Sequence, residues 1–301
     1  MEKLFKLKEH GTDVKTEIIA GITTFLAMAY ILAVNPSYLG GIDGMSAGAV
    51  FSATAISAGI ATLCMAFFAN YPVALASGMG LNAFFAFTVC GAMGYSYKVA
   101  LTAVFIEGII FMLLSLFKFR EALVNKIPSN LKFAITAGIG LFIAIIALLN
   151  ANVVVASEST TVALGELSSP TVVLSLVGLL IIGALQHYKV PGGILLGILI
   201  TWVLGIMAQL VGWYVPNPDA GVYSVIPQFS LSSFEAPKMF QFDFGFIAKN
   251  VPAFIIIVFT FLYTDIFDTV GTLIGVAEKG KLLDKDGSLP NATGALMADA
   301  V

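Results

Sequence analysis

The chain has 301 residues, of which 58% are hydrophobic and only 11% are charged, and its net charge is -3. A soluble domain carries about 25% charged residues, so the composition excludes a soluble globular domain and favours a membrane protein. The small net charge gives no indication of a nucleic-acid partner, and the two cysteines, Cys64 and Cys90, lie in apolar runs that indicate buried thiols without a disulfide framework.

Eight apolar runs are long enough to cross a bilayer, because a hydrocarbon core of roughly 30 Å needs about 20 apolar residues in a helix. These spans are predicted at residues 17–35, 47–69, 72–91, 98–117, 131–150, 169–187, 193–213 and 246–276, and a ninth begins near Ala295. The first run ends at Asn35-Pro36 and lacks a small-residue cleavage site, so it is interpreted as a span and not as a signal peptide. The predicted fold class is an all-α polytopic membrane protein.

The basic residues predict how these spans are oriented, since cytoplasmic loops are enriched in Lys and Arg. With the N-terminus in the cytoplasm, the basic residues on the inner side are Lys3, Lys6, Lys8, Lys15, Lys118, Arg120, Lys126, Lys132, Lys189, Lys279, Lys281 and Lys285. Only Lys98, Lys238 and Lys249 fall outside. The stretch 118–128 is predicted to lie along the inner interface or to form a solvated loop, and the proline-containing stretch 214–243 is predicted to be an external loop.

The third span is predicted to be a broken helix. Its first part is led by Pro72 and extended, and Gly78 and Gly80 then interrupt it, with Ser77 as a possible N-cap of a helix that begins inside the membrane. Irregular backbone at membrane depth is tolerated only where it lines a cavity or is buried in protein. The free N–H groups of such a half-helix favour a polar ligand, whereas the alternative is a glycine-rich packing surface.

The eighth span carries two acids in its middle, Asp265 and Asp268, three residues apart and therefore on one helix face, which Thr272 extends by a turn. Acids within a span are costly and usually face a cavity or a partner. Two neighbouring carboxylates in a low dielectric do not both ionise easily, so we expect at least one of them to bind and release a proton. The alternative is that one Asp only bonds a neighbouring hydroxyl or caps a broken backbone.

Three other polar residues within or beside the spans are ambiguous. Glu107 stands alone in the fourth span and is either a hydrogen-bonding residue between helices or a second proton site. Thr24 in the first span is a candidate ligand, although hydroxyls in membrane helices mostly bond their own backbone. His10 and His187 lie at the cytoplasmic edge without a cluster of partners. No metal site and no catalytic motif is predicted.

Several motifs in chain order resemble one family. TFLAMAYI at residues 24–31 with VNP at 34–36 resembles the first helix of the AzgA-like purine permeases, which belong to the nucleobase–cation symporter group with the uracil and xanthine permeases. GMGLNAFF at 78–85 resembles their third-helix motif, and DIFDTVGT at 265–272 resembles their eighth-helix motif. ADA at 298–300 resembles the start of their ninth helix.

The resemblance implies a fold of fourteen spans in two inverted seven-helix repeats, of which this chain holds about eight complete spans and the start of a ninth. It implies a core domain at residues 1–118, a gate domain at 119–244 with the external loop, and the second-repeat core at 245–301. Relative to that fold the chain is expected to be C-terminally truncated, without the tenth helix and the further site carboxylate that it supplies.

The resemblance also implies a function and a site. It implies import of hypoxanthine, guanine and adenine by proton symport across the cell membrane, with the proton as the coupling ion, no cofactor, the lipid bilayer as surroundings and a possible homodimer through the gate. The substrate-binding residues are expected to be Gly80, Asn82, Phe84, Asp265, Asp268 and Thr24, and the proton-coupling residues Asp265, Asp268 and Glu107.

Three alternative functions remain at this stage. A uracil- or xanthine-type permease is distinguished only through the family motifs. An anion transporter of the same fold is disfavoured by the acids of the eighth span. An intramembrane aspartyl protease needs two Asp residues on facing helices that share a proton, whereas Asp265 and Asp268 lie on one helix.

Overall fold

The computed structural model describes residues 5–116, 129–157, 159–190, 192–217, 224–226, 235–280, 282 and 290–300. These residues are mostly helical. The helices are α1 (Val14–Met28), α2 (Ile31–Leu39), α3 (Ala47–Cys64), α4 (Met79–Ala83), α5 (Tyr97–Leu116), α6 (Ser129–Asn150), α7 (Pro170–His187), α8 (Gly193–Leu210), α9 (Phe244–Lys249), α10 (Val251–Lys279) and α11 (Ala292–Ala300). Two π-helical stretches, Met65–Ala69 and Phe84–Ala92, continue α3 and α4.

Two strands form the part of the described fold that is not helical. β1 (Val154–Ser157) and β2 (Thr161–Leu164) pair as an antiparallel hairpin in which Val154 faces Leu164. The hairpin follows α6 in the connection between the fifth and sixth predicted spans. The predicted fold class is confirmed as a mostly helical polytopic membrane fold, and this hairpin is a feature that the all-α prediction did not include.

Six helical stretches within the described residues are long and apolar enough to cross a membrane: Val14–Leu39, Ala47–Ala69, Tyr97–Ser115, Pro170–His187, Gly193–Leu210 and Val251–Ala277. A shorter apolar helix, Met79–Ala92, and α6 lie where the third and fifth spans are predicted. Many large apolar side chains on these helices are exposed, as lipid-facing surfaces require. The total of eight spans and the seven-plus-seven repeat stay predictions.

Polar side chains define where several helices begin. The Ser46 hydroxyl accepts a hydrogen bond from the Ala49 amide at 3.4 Å at the start of α3. The Asp243 carboxylate accepts one from the Phe246 amide at 3.1 Å at the start of α9. Both residue types are favoured N-caps because a side-chain oxygen satisfies an N–H that has no partner within the helix.

The described chain divides into two compact units. The first comprises Met1–Asp13, Ala29–Gly140 and Ser232–Val301, and the second comprises Val14–Met28 and Leu141–Leu231. The division at residues 118 and 244 into core, gate and second core stays a prediction. The stretch 118–128 lies outside the described residues, as do residues 218–223 and 227–234 of the predicted external loop.

The core of the first unit lies where α5 packs against α10 and against the stretch that continues α4. Ala100 and Ala103 on α5 are fully buried, and they let the backbone of α5 approach that of α10, which contributes Ile257 and Phe261. A second cluster, formed by Met65, Ala69, Leu273, Ala295, Leu296 and Ala298, packs α11 against the end of the α3 stretch. These contacts hold the third and eighth predicted spans side by side.

In the second unit, small residues let α7 and α8 approach closely. A Cβ atom built on Gly178 of α7 would lie 2.6 Å from the Thr201 hydroxyl oxygen of α8. A Cβ atom built on Gly197 of α8 would lie 2.3 Å from a side-chain carbon of Ile182. Neither position has room for a larger residue, as expected for tightly packed membrane helices.

Candidate functional site

The broken third span has the predicted form. Residues 71–78 are neither helical nor part of a strand, Gly78 at the N-cap is extended, and α4 begins at Met79. The Thr62 hydroxyl on α3 accepts a hydrogen bond from the Leu75 amide at 3.0 Å and lies 3.3 Å from the Leu75 carbonyl oxygen. This side chain supplies a partner for backbone groups that a helix would otherwise satisfy.

The predicted N-cap role of Ser77 is wrong. Gly78 occupies the N-cap position without a side-chain hydrogen bond. The Ser77 hydroxyl instead accepts hydrogen bonds from the side-chain amides of Asn35 at 2.5 Å and Asn82 at 3.3 Å. Ser77 lies one residue before the N-cap position, and its hydroxyl bonds these two amides in place of a backbone N–H of α4.

Asn82, a predicted substrate ligand, belongs to a cluster of polar side chains from α2, α3 and the broken span. Its amide nitrogen donates to Asn35 Oδ1 at 2.7 Å, and Asn35 Nδ2 donates to the Thr54 hydroxyl at 3.1 Å. Asn35 is 2% exposed and Thr54 is 6% exposed. Asn82 and Ser77 are more accessible, so the cluster has a buried end at Thr54 and an accessible end beside α4.

The two acids of the eighth span lie on α10, where both are half-buried. The Thr269 hydroxyl lies one turn beyond Asp265, at 3.5 Å from Asp265 Oδ1, and it donates to Asp299 Oδ2 on α11 at 2.5 Å. The Asp268 carboxylate interacts with the Asp299 carboxylate and with the Thr272 hydroxyl. The structure therefore brings a third acid, from the predicted ninth span, to the predicted pair.

The third and eighth spans meet at Gly78 and Asp268. A Cβ atom built on Gly78 would lie only 2.9 Å from Asp268 Oδ2, a separation that real Cβ atoms do not adopt. The carboxylate thus lies against the N-terminus of the half-helix, where free N–H groups and the helix dipole favour negative charge. A side chain at this position would displace the carboxylate from the start of the half-helix.

The other predicted site residues have different surroundings. The Phe84 ring packs edge-on against Phe261 of α10, with ring centroids 4.9 Å apart. Among the described residues, a Cβ built on Gly80 meets no atom within 4 Å beyond its own helix backbone and its chain neighbours. The Thr24 hydroxyl donates to the Ala20 carbonyl at 2.9 Å within α1, in the second unit. The roles predicted for these residues in binding stay predictions.

Glu107 is buried on α5, at 7% exposure. A Cβ on the next residue, Gly108, would lie 3.7 Å from the Ala300 carbonyl oxygen, so this part of α5 packs against α11, the helix that carries Asp299. Its predicted role as a proton site stays a prediction.

The sequence interpretation missed the roles of Asp299, Thr269, Asn35 and Ser77 in these clusters. The sequence could have indicated Asp299, since it is an acid in the apolar run that begins the ninth span. The indication for Thr269 was weaker: it lies four residues after Asp265, on the same face of the same helix. Asn35 and Ser77 gave no such signal, because their partners are distant in the sequence.

The site offers mainly hydrogen-bond acceptors. The Asp268 carboxylate lies beside the start of α4 at Gly78, Asp265 and Asp299 extend the acidic cluster through Thr269, and Asn82 lies on α4 itself. Carboxylate and amide oxygens suit a neutral ligand that carries several N–H donors. Among the described residues, no group of three His, Cys, Asp or Glu side chains is placed to hold a metal ion. Acids and a half-helix within apolar helices define a membrane protein with an internal polar ligand site, as in solute transporters.

Comparison with known proteins assigns the chain to a family within this class. The sequence profile of the xanthine/uracil permease family, described as a permease family, matches residues 15–301. The chain belongs to this permease family and is a multi-pass membrane protein. The family and the named relatives are permeases and not enzymes, which removes the protease alternative.

Relatives match throughout the chain. An adenine permease of Escherichia coli strain K12, AdeQ, is 42% identical over 100% of the chain and 64% of its own length. Two guanine/hypoxanthine permeases of Bacillus subtilis strain 168 are also similar. PbuO is 44% identical over 99% of the chain and 66% of its own length. PbuG is 41% identical over 100% of the chain and 67% of its own length. The chain spans about two thirds of the length of these relatives.

Proposed function

We propose that this chain forms the substrate-binding part of a permease that imports purine nucleobases by proton symport. The observation that carries the proposal is the contact between the two predicted motifs, in which the Asp268 carboxylate lies against the start of α4 at Gly78. Relatives named as adenine and as guanine/hypoxanthine permeases, at 41–44% identity, support the choice of purines.

The chemistry of the site fits a purine base. Hypoxanthine, guanine and adenine are flat and uncharged, and each carries ring or exocyclic N–H groups that need acceptors in a dry site. Asp265 and Asp268 accept these hydrogen bonds, and Asn82 accepts from a further N–H. Gly80, where the protein leaves open space, lets the edge of the base approach the backbone.

Proton coupling in this proposal resides in the acidic cluster. Asp268 lies near Asp299, and Thr269 links Asp299 with Asp265. Neighbouring carboxylates in a low dielectric share protons more easily than they carry full charges. A proton that enters with the base would neutralise one of these acids, and its release on the other side would free the base.

The proposal also includes the surroundings of the protein. It places the permease in the lipid bilayer of the cell membrane with its N-terminus in the cytoplasm, on the strength of the distribution of basic residues in the sequence. Assembly as a homodimer belongs to the same proposal.

The test is uptake of radiolabelled purines by cells that express the complete gene with Asp265→Asn or Asp268→Asn. Each change keeps the size of the side chain and removes its charge. Initial hypoxanthine uptake is expected to fall about tenfold or more, since a charge-assisted hydrogen bond is lost. The matched control is Asp43→Asn, at an exposed acid between α2 and α3, which is expected to leave uptake unchanged.

The same cells test the coupling and the substrate class. A protonophore is expected to abolish hypoxanthine uptake, and uracil is expected not to be taken up. Uptake of uracil or xanthine in place of hypoxanthine would replace the purine assignment by the xanthine/uracil alternative. Full hypoxanthine uptake by both Asn variants would remove the role assigned to the acids.

A further inference from the structure

The polar cluster of Thr54, Asn35, Ser77 and Asn82 determines which way two side-chain amides face. Thr54 Oγ1 donates its proton to the Val50 carbonyl oxygen at 2.8 Å, within α3. A hydroxyl has a single proton, so the Thr54 oxygen can only accept from Asn35. The group that Asn35 directs at Thr54, 3.1 Å away, is therefore its NH₂ group.

The orientation of Asn35 then determines that of Asn82. With its NH₂ group directed at Thr54 and Ser77, Asn35 presents its oxygen to Asn82, 2.7 Å away. Asn82 must therefore donate from its own NH₂ group, which also donates to the Ser77 hydroxyl at 3.3 Å. Within the described part of the chain both N–H groups of Asn82 point into the cluster, which leaves its oxygen for a ligand.

We propose that Asn35, oriented by the buried hydroxyl of Thr54, is a positioning residue that turns the amide oxygen of Asn82, and not its NH₂ group, toward the substrate. This inference rests on the proposed function. It explains why Asn82 accepts a hydrogen bond from the substrate and does not donate one. The Thr54 hydroxyl on α3 determines this direction without contacting the substrate itself.

Ser77 completes the arrangement. Its oxygen accepts from both amides, so its own proton points out of the cluster, and the side chain is exposed. The accessible end of the cluster thus presents an acceptor, Asn82 Oδ1, beside a donor, the Ser77 hydroxyl. The ligand edge that fits this pair carries a donor next to an acceptor, which is the chemistry of a cyclic amide or amidine such as a nucleobase.

The decisive variants lie at Thr54, outside the ligand contacts. Thr54→Val keeps the shape of the side chain and removes the hydroxyl, so Asn35 loses the partner that fixes its amide and Asn82 is free to reverse. Thr54→Ser keeps the hydroxyl. Ser52→Ala is the matched control on the same helix, because Ser52 is also buried and its hydroxyl, within the described part of the chain, bonds the Gly48 carbonyl of its own helix.

The measurement is the Kd of the purified full-length permease for hypoxanthine and for adenine. At ring position 1 hypoxanthine carries an N–H donor and adenine a bare nitrogen, and at position 6 the order is reversed. Thr54→Val is expected to change the ratio of the two Kd values by about fivefold or more, on the scale of one hydrogen bond. Thr54→Ser and Ser52→Ala are expected to keep the wild-type ratio.

A second measurement does not involve Thr54. Asn35→Ala and Asn82→Ala form a double-mutant cycle on the Kd for hypoxanthine. If Asn35 acts through Asn82, Asn35→Ala is expected to raise Kd about fivefold in the wild-type background and to have no further effect once Asn82 is Ala. Additive effects would show that Asn35 acts on binding by another route and would overturn the inference.

The outcomes separate the two proposals. Binding of purines by the wild type, with the same Kd ratio in Thr54→Val, overturns the positioning role alone. An equal change in Thr54→Ser and Thr54→Val also overturns it, because the hydroxyl would then not be the cause. Failure of the wild type to bind either base overturns the proposed function, and the positioning role with it.

Discussion

At the scale of single residues, Thr269 has the most informative contacts in the acidic cluster. Its hydroxyl donates to Asp299 on α11 at 2.5 Å and lies 3.5 Å from Asp265 on its own helix. Since a single proton serves one acceptor at a time, a change in the protonation of either acid changes the partner that Thr269 prefers. This residue therefore connects the protonation of one helix with that of the next.

The first residue-scale prediction concerns this hydroxyl. Thr269→Val removes it without a large change in volume, so Asp299 loses the hydrogen bond that Thr269 donates. Initial purine uptake is expected to fall about tenfold, the scale of a charge-assisted hydrogen bond, and the dependence of uptake on external pH is expected to shift. Uptake over a series of external pH values measures both effects.

Two controls accompany Thr269→Val. Thr269→Ser keeps the hydroxyl and is expected to retain uptake. Thr260→Val lies on the same helix, where the Thr260 hydroxyl donates to the Ile256 carbonyl at 2.8 Å, and it is expected to be neutral. An unchanged pH profile in Thr269→Val would show that this hydroxyl has no part in coupling.

Sequence alone could indicate Asp265, Asp268 and Asn82, because polar residues inside apolar runs are conspicuous. It could not indicate their partners. Asn35 meets Ser77 across 42 residues, and Thr269 meets Asp299 across 30 residues. Such pairs form only when separate helices pack, so no local pattern marks them.

At the scale of secondary-structure elements, the start of α4 depends on close approach by α10. Gly78→Ala places a methyl group, at the ideal Cβ position, 2.9 Å from Asp268 Oδ2. Either the carboxylate or the half-helix must move, and such overpacking costs about 1–3 kcal/mol. Purine uptake is expected to fall about tenfold or more while the protein remains folded, as judged by membrane abundance and monodisperse size.

The control for Gly78→Ala is Gly59→Ala on α3, where a Cβ atom meets no described residue within 4 Å beyond its own helix backbone. It is expected to leave uptake unchanged. Normal purine uptake with Ala at position 78 would show that the contact between the half-helix and Asp268 is not required.

Gly80→Ala distinguishes a clash with a bound base from a clash within the protein. The described residues leave open space around a Cβ at this position, so the substitution is expected to cause no clash within them. If a base approaches the backbone at Gly80, the added methyl group is expected to raise the Kd for hypoxanthine about tenfold, on the scale of a small steric clash, without a change in melting temperature. An unchanged Kd would place the base elsewhere along α4.

The elements themselves were predictable to different degrees. Long apolar runs predict membrane helices well, and α7, α8 and α10 lie close to their predicted spans. The extended start of the third span was predictable from Pro72 and the glycines. The hairpin of β1 and β2 was not, because its residues follow a long apolar run without a turn signal such as Asn-Gly.

At the scale of the whole molecule, the predicted orientation gives each connection a side of the membrane. The N-terminal segment is placed in the cytoplasm, and the hairpin connection after α6 is placed outside. This assignment depends on the number of spans between the two points, so labelling both points tests orientation and span count together.

The prediction for orientation uses Glu9→Cys and Glu166→Cys, two exposed positions, in a background with Cys64→Ala and Cys90→Ala. A membrane-impermeant maleimide is expected to label position 166 in intact cells and position 9 only after permeabilisation. Labelling of both positions from the same side would mean that the number of spans between them is even and not odd.

The non-helical stretch 71–78 affects how the protein enters the membrane during synthesis. Each backbone group without a hydrogen-bond partner costs several kcal/mol in hydrocarbon, so this stretch cannot partition into lipid by itself. Thr62, whose hydroxyl bonds the backbone of Leu75, lies on α3 and is synthesised before this stretch. The third span must therefore leave the translocon together with α3, as one unit of insertion, and not as an independent helix.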